Sequence, residues 1–191
     1  MTPDSIDEEL LNETKPTYAG FGQRLGAALL DGLIVSTPLS LMIMYGLLSQ
    51  SFTLIGVAIL VMAAYKVLME GLFGATLGKM IVGIQVVGEG LGPVSLEQSV
   101  RKNMIYLIQH GLSWWSFGFI AKEVHKGDAA EDLFTVVEKL QTITDNPYDM
   151  ASQFISFLIM VSCMSVLVDR EKRQTIHDRL ANTVCILKEK E

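Results

Sequence analysis

Long apolar runs, rather than an alternation of polar and apolar positions, set the pattern of this chain. Four stand out: Leu25–Leu48, Phe52–Phe73, Met104–Ala121 and Ala151–Val168. A membrane-crossing helix needs about 20 apolar residues at ~1.5 Å rise each. The first two runs are long enough for tilted spans, and the last two sit at the lower end. Helices of a soluble bundle carry a polar face at a period of about 3.6 residues. Leu54–Ala64 has no such face, and Leu33–Leu48 breaks its apolar surface only with small hydroxyls, a Tyr and a Pro. The pattern predicts an all-α integral membrane bundle of four transmembrane helices, over about 25–48, 52–73, 104–121 and 151–168.

Composition agrees with that reading. Of 191 residues, 50% are apolar and 19% charged. Two cysteines exclude a disulfide scaffold, and a net charge of −6 speaks against a nucleic-acid partner. Residues 1–17 are acidic, lack the basic start of a signal peptide and read as a disordered tail. The domain proper is expected over 18–187, with a charged end at 188–191. Basic residues give the orientation. Lys15, Arg24, Lys79, Arg101, Lys102 and the basic residues of the tail fall on one side of a four-span chain. Only Lys122, Lys126 and Lys139 fall on the other. Both termini are therefore expected in the cytoplasm. The outer loop 122–150 is acidic. Leu133, Val136, Val137, Leu140 and Ile143 recur there at helical spacing, so it reads as an amphipathic helix on the outer face.

Charges inside the runs are the candidate chemistry. A charged side chain in mid-span costs about 2.5–3.5 kcal/mol on insertion scales, so it usually faces the bundle interior and a partner. Counting residues from the cytoplasmic edge puts Asp31, Lys66 and His110 each about 10 Å deep, with Ser162 and Cys163 at a similar level. Arg24 and Glu70 lie nearer the surface. The expectation is one polar layer of Asp31, Lys66 and His110, with Arg24 paired to Glu70 below it. Lys66 and Glu70 also stand at i, i+4 and can pair locally. Paired charges can equally be devices that register helices.

The cytoplasmic segments carry two further motifs. After the second run comes Glu70-Gly-Leu-Phe-Gly-Ala-Thr-Leu-Gly-Lys-Met, which fails as a phosphate loop because Met80 stands where such a loop has Ser or Thr. It reads as a turn leaving the membrane, with Lys79 at the headgroups. Ile81–Val87 is expected as a short strand paired with Thr183–Leu187. Ser95 begins an amphipathic segment leading into the third run. His177-Asp178 suggests a metal or a catalytic dyad, but no third ligand has suitable spacing, so no metal and no cofactor are expected.

Three segments together resemble the RDD family of small multi-pass membrane proteins. They are Phe21-Gly-Gln-Arg-Leu-Gly-Ala-Ala-Leu-Leu-Asp31, the stretch from Glu70 through Thr76, Gly78 and Lys79 to Val87, and Gln174-Thr-Ile-His-Asp178. The resemblance places the family's arginine at Arg24 and its two aspartates at Asp31 and Asp178. Lys66 and the 122–150 loop depart from the family pattern. The resemblance implies a bacterial inner-membrane protein for which cation/proton exchange or an accessory role is the expectation, and the lack of a nucleophile–base pair in the sequence speaks against an enzyme. Two readings follow. One is a transporter of a monovalent cation, a proton or another small solute, centred on Asp31 and working as a homo-oligomer. The other is a scaffold or regulatory subunit of another membrane protein, in which these charges only hold helices together.

Overall fold

The structure, a computed structural model, describes residues 16–124, 147–169 and 171–188, together with Phe134 and Glu138. Helix α1 (Phe21–Leu48) leads to α2 (Phe52–Phe73), a short α3 (Leu77–Val82) and strand β1 (Ile84–Gly88). Then come α4 (Leu96–Val124), α5 (Pro147–Met164), a short α6 (Ile176–Ala181) and strand β2 (Thr183–Leu187). The expected outer helix lies mostly outside the described residues, as do residues 1–15 of the expected tail. Thr17 is described, and its carbonyl accepts from Leu187 N–H at 2.8 Å.

Among the described residues, three helices are long and apolar enough to cross a membrane: α1, α2 and Met150–Leu167. Their most apolar windows are only 17%, 28% and 11% buried within the molecule. So much exposed apolar surface suits a bilayer and not water, and the chain is a membrane protein. The expected third span, 104–121, falls within α4, which has 29 residues but carries Gln109, His110, Ser113 and Ser116. Helix α1 is continuous but contains a π-helical turn at Gly32–Ser36, directly after Asp31. Pro38 lacks a backbone N–H and crowds the preceding turn, and the wider π turn accommodates it.

Two small cores hold the molecule. Ile43, Leu47, Ile55, Ala58 and Ile59 pack α1 on α2. Ala19, Ala27, Ile84, Val86, Val94 and Cys185 pack the strand pair under the helices. β1 and β2 are antiparallel, with Ile84 opposite Leu187, Val86 opposite Cys185 and Gly88 opposite Thr183. The strand starts later than the Ile81 expected from the sequence. Thr76 caps a helix that takes in Ile81 and Val82 and ends at Gly83, whose φ of 78° is left-handed.

The two halves of the chain repeat one backbone design. Thr76 caps α3 by accepting from Lys79 N–H, and Thr175 caps α6 by accepting from Asp178 N–H. Both helices end in a left-handed residue, Gly83 and Asn182. Another left-handed residue, Gly74 or Arg173, stands two before each threonine. Each helix then leads into its strand, and Val86 pairs with its own counterpart Cys185. The flanks obey the same exchange. Gly88 N–H donates to Gly92 O at 2.9 Å, as Leu187 N–H does to Thr17 O at 2.8 Å. Glu89 N–H donates to Asn182 O, as Lys188 N–H does to Gly83 O. Tyr18 bridges to Ile186, as Pro93 does to Val87. Gln23 accepts from Gly20 N–H before α1, and Gln98 accepts from Ser95 N–H before α4. From Gly74 through β1, every counterpart in the second half lies at one constant interval along the chain. A second constant interval relates the starts of α1 and α4. The intervals differ because the α4–α5 connection is longer than the α1–α2 turn. A pseudo-two-fold axis through the Val86–Cys185 pair therefore relates the cap-and-strand units α3–β1 and α6–β2 and the starts of α1 and α4.

Candidate functional site

The polar centre of the molecule lies where the two halves meet. Its first part is built around Asp31, on the last α-helical turn before the π turn. Gly78 lets α3 press against α1 there: a Cβ at Gly78 would stand 2.1 Å from the Ala27 carbonyl oxygen. The N-terminus of α3 thus faces the buried Asp31 carboxylate. Oδ1 accepts from Gly78 N–H at 2.8 Å and from the Tyr65 hydroxyl at 2.7 Å, and Oδ2 accepts from the Thr76 hydroxyl at 2.6 Å. Tyr65 is held in turn by Leu77 N–H, which donates to its oxygen at 2.9 Å.

The second part is an ion-pair chain. Arg24 reaches Asp178 Oδ2 at 2.6 Å and also donates to the carbonyls of Ala19 and Arg173. Lys102 lies 2.9 Å from Asp178 Oδ1 and 3.5 Å from Glu70 Oε2. Lys79 closes on the other oxygen of Glu70, and Asn103 donates to Glu70 at 3.3 Å. Asp178 is fully buried and also accepts from Thr175 N–H, completing a capping box at the start of α6. Burial alone would raise the Asp178 carboxyl, but Lys102 and Arg24 hold it well below the usual carboxylate range. The chain of charges joins α1, α2, α3, α4 and α6. Removing one partner would strand its neighbour as an uncompensated buried charge, at about 3–5 kcal/mol.

The third part is Lys66. Its ammonium sits over the Tyr106 ring, 3.9 Å from the centroid, a cation–π contact. Two cavities meet beside it. One, of about 110 Å³, is bordered by the ion-pair chain, Cys163 and His177. The other, of about 210 Å³, is bordered by Ser36, Gln109, His110 and Ser113. Asp31, Lys66 and Tyr106 line both. The Tyr106 and His177 rings pack with centroids 5.7 Å apart, and His177 Nδ1 is hydrogen-bonded to the Ser162 hydroxyl. Burial lowers the His177 imidazole's proton affinity. Asp178 pulls it upward, and Lys102 and Lys66 add to the lowering.

This arrangement departs from the expected pairing in several places. Arg24 does not pair with Glu70. Its partner is Asp178, which α6 brings beneath the first turn of α1, while Lys79 and Lys102 occupy Glu70. Lys79 is turned to that carboxylate and not to lipid headgroups. Asp31, Lys66 and His110 border one cavity, but no ion pair joins them among the described residues. Nor do Lys66 and Glu70 pair along α2. Counting residues gives depth but not direction around the helix. Thr76 and Gly78 act together on Asp31, and His177 faces Ser162 and Tyr106. Sequence reasoning missed Lys102, Asn103, Tyr65 and Tyr106. Lys102 stands among the basic flank residues counted only for orientation. Tyr65 adjoins Lys66 and Tyr106 stands one helical turn before His110, so their polar tips were a usable signal.

No curated protein and no solved structure is similar to the chain. The residues that carried the resemblance, Arg24, Asp31 and Asp178, all sit in this centre. A model of the RDD family matches residues 18–182, most of the chain, and the chain belongs to the RDD family.

Proposed function

We propose that this protein is a four-span carrier of a small ion, with its translocation site between the two repeated halves. The observation that carries the reading is the pair of polar cavities meeting at Asp31, Lys66 and Tyr106, residues drawn from both halves. Helix α4 is the counterpart of α1 about the pseudo-two-fold axis, which supports counting it as the fourth span. With four spans both termini share one side, and the basic flanks favour the cytoplasm of a bacterial inner membrane. Helices α2 and α5 then run in the same direction, so the axis lies along the membrane normal. Parallel repeats with a site at their interface are a recurring carrier architecture. A second copy of the chain is the expected partner, since two spans per half give little enclosure.

Asp31 has a positioning role in this reading, because its carboxylate holds the start of α3. The Ser162–His177 contact is read as a structural link between α5 and α6 and not as a catalytic pair, because no carboxylate among the described residues orients the ring. The scaffold reading draws its support from the closed ion-pair chain, which ties helices together without needing a solute.

Flux in proteoliposomes of the purified full chain decides between them, tested with Na⁺, K⁺, Li⁺, Cl⁻ and a pH gradient. Carrier function predicts flux of one ion, lost in Lys66→Met while the variant stays monodisperse. Absence of flux for every ion, with folded protein, overturns the carrier reading in favour of the scaffold.

A further inference from the structure

We propose that the ion is a small monovalent anion held at Lys66, an inference that rests on the carrier reading above. The carboxylates are already engaged. Both oxygens of Asp31 accept from Tyr65, Thr76 and Gly78. Glu70 is held by Lys79, Lys102 and Asn103, and Asp178 by Arg24, Lys102 and Thr175. A metal cation would have to displace an ammonium or a guanidinium to reach Glu70 or Asp178, and would have to compete with the Gly78 N–H and two hydroxyl donors to reach Asp31. Lys66 is placed differently. It borders both cavities, touches the face of an aromatic ring, and among the described residues has no carboxylate within ion-pair distance.

The sum of charges points the same way. The first cavity is bordered by Arg24, Lys66, Lys79 and Lys102 on the positive side and by Asp31, Glu70 and Asp178 on the negative side. With Lys66 protonated, one positive charge is left over in a setting flanked by apolar helices, where an unpaired ion is costly. A monovalent anion cancels that excess, whereas a divalent one would reverse it. His177 Nε2 supplies a second group. It is buried, has no hydrogen-bond partner among the described residues, and its ring borders the same cavity. With Nδ1 accepting from Ser162, Nε2 carries a proton and donates to an anion. Cavities of about 110 and 210 Å³ suit chloride, nitrate or formate.

The test uses the full chain in detergent and then in liposomes. Thermal unfolding and titration calorimetry follow nitrate and chloride at constant ionic strength, with gluconate as the bulky anion and Na⁺ exchanged for choline. The expected result is saturable binding of nitrate or chloride that is indifferent to the cation. It weakens by about tenfold or more in Lys66→Gln, as expected for a charge-assisted contact, and is largely retained in Lys66→Arg. Binding to the wild-type chain decides the anion class even where Lys66→Gln fails to fold. Uptake of the same anion is then measured in liposomes. Anion binding without uptake keeps the anion site and overturns the carrier reading. Cation-dependent flux without anion binding keeps the carrier reading and overturns the anion. Equal binding in Lys66→Gln and wild type overturns the assignment to Lys66.

Discussion

The N-terminal half, α1 to β1, and the C-terminal half, α4 to β2, share their caps, left-handed turns and strand register but hardly any charged side chain. In the first half α3 lies directly on α1, because Gly78 has no Cβ to hold it away, and Asp31 bonds to its backbone. In the second half His177 replaces Gly78 and Tyr106 replaces Asp31, so two packed rings stand where the first half has a carboxylate on an N–H. The first half is therefore closed by backbone contact, while the second is spaced by side chains. Lys79 of the first half becomes Asp178 in the second, and that reversal lets Arg24 bridge the halves, while Lys102 bridges them through Glu70. Backbone devices thus build each half, and the unshared charges fasten one half to the other.

The sharpest way to break this comparison is to remove the two counterpart charges separately. Asp178→Asn should leave Arg24 buried without its counter-charge and Lys102 with Glu70 alone, at about 3–5 kcal/mol, read as a collapse of the thermal midpoint or loss of monodisperse protein. Lys79→Met should cost less, about 1–3 kcal/mol, because Glu70 keeps Lys102 and Asn103. Equal losses would mean that the charges do not divide into an inter-half fastener and a local pair.

Steric closure comes next. Gly78→Ala forces α3 off the Ala27 carbonyl and off Asp31 N, and overpacking of this kind costs about 1–3 kcal/mol. The counterpart change His177→Ala removes a ring pair and one hydrogen bond, about 1 kcal/mol. Thermal unfolding of both variants in one detergent orders them. A harmless Gly78→Ala would show that α3 does not rest on α1.

A smaller effect tests the repeated turns. A Cβ at Gly83 would meet open space, but the backbone there has a φ of 78°, so Gly83→Ala should cost about 1 kcal/mol through backbone strain alone. Asn182 occupies the counterpart turn with a φ of 51°, and Asn182→Gly should change stability by only a few tenths of a kcal/mol. Chemical denaturation of the pair reads the difference, and identical responses would deny the equivalence of the two turns.

Much of this is legible in the chain, for identifiable reasons. Apolar run length locates α1, α2 and α5, and the residues Arg24, Asp31, Glu70, Lys79 and Asp178 stand out as charges beside apolar segments. Their partners do not, because a count along a helix fixes height and leaves azimuth open. Arg24 and Glu70 share a level yet face different neighbours. The duplication is hidden because what repeats is dihedral angle and capping, not residue type: Gly74 answers to Arg173, and Gly83 to Asn182. The capping threonines Thr76 and Thr175 are an exception and keep their identity. The end of α3 is misread from sequence because Ile81 and Val82 favour strands in isolation, while the Thr76 cap and the Gly83 turn enclose them in a helix.

The smallest expected effect separates the acids that precede the two caps. Glu70 is buried among lysines, whereas its counterpart Asp169 follows α5 in a connecting segment. Burial would raise the Asp169 carboxyl, but Arg179 and the backbone N–H groups of Gln174, Lys172 and Glu171 outweigh it and hold its pKa at about 2. A carboxylate with a folded pKa below its unfolded one, near about 3.9, contributes stability that is complete above the unfolded value. That contribution is lost as the pH falls through the folded value. Asp169 should therefore weaken the 169–174 connection between about pH 4 and about pH 2. Asp169→Asn should flatten the stability profile in that window and leave the profile above it parallel to wild type. Hydrogen exchange of the Gln174 and Lys172 amides reads this locally. Unchanged acid sensitivity of those amides in Asp169→Asn would mean that the connection is held by the buried Asp178 network alone.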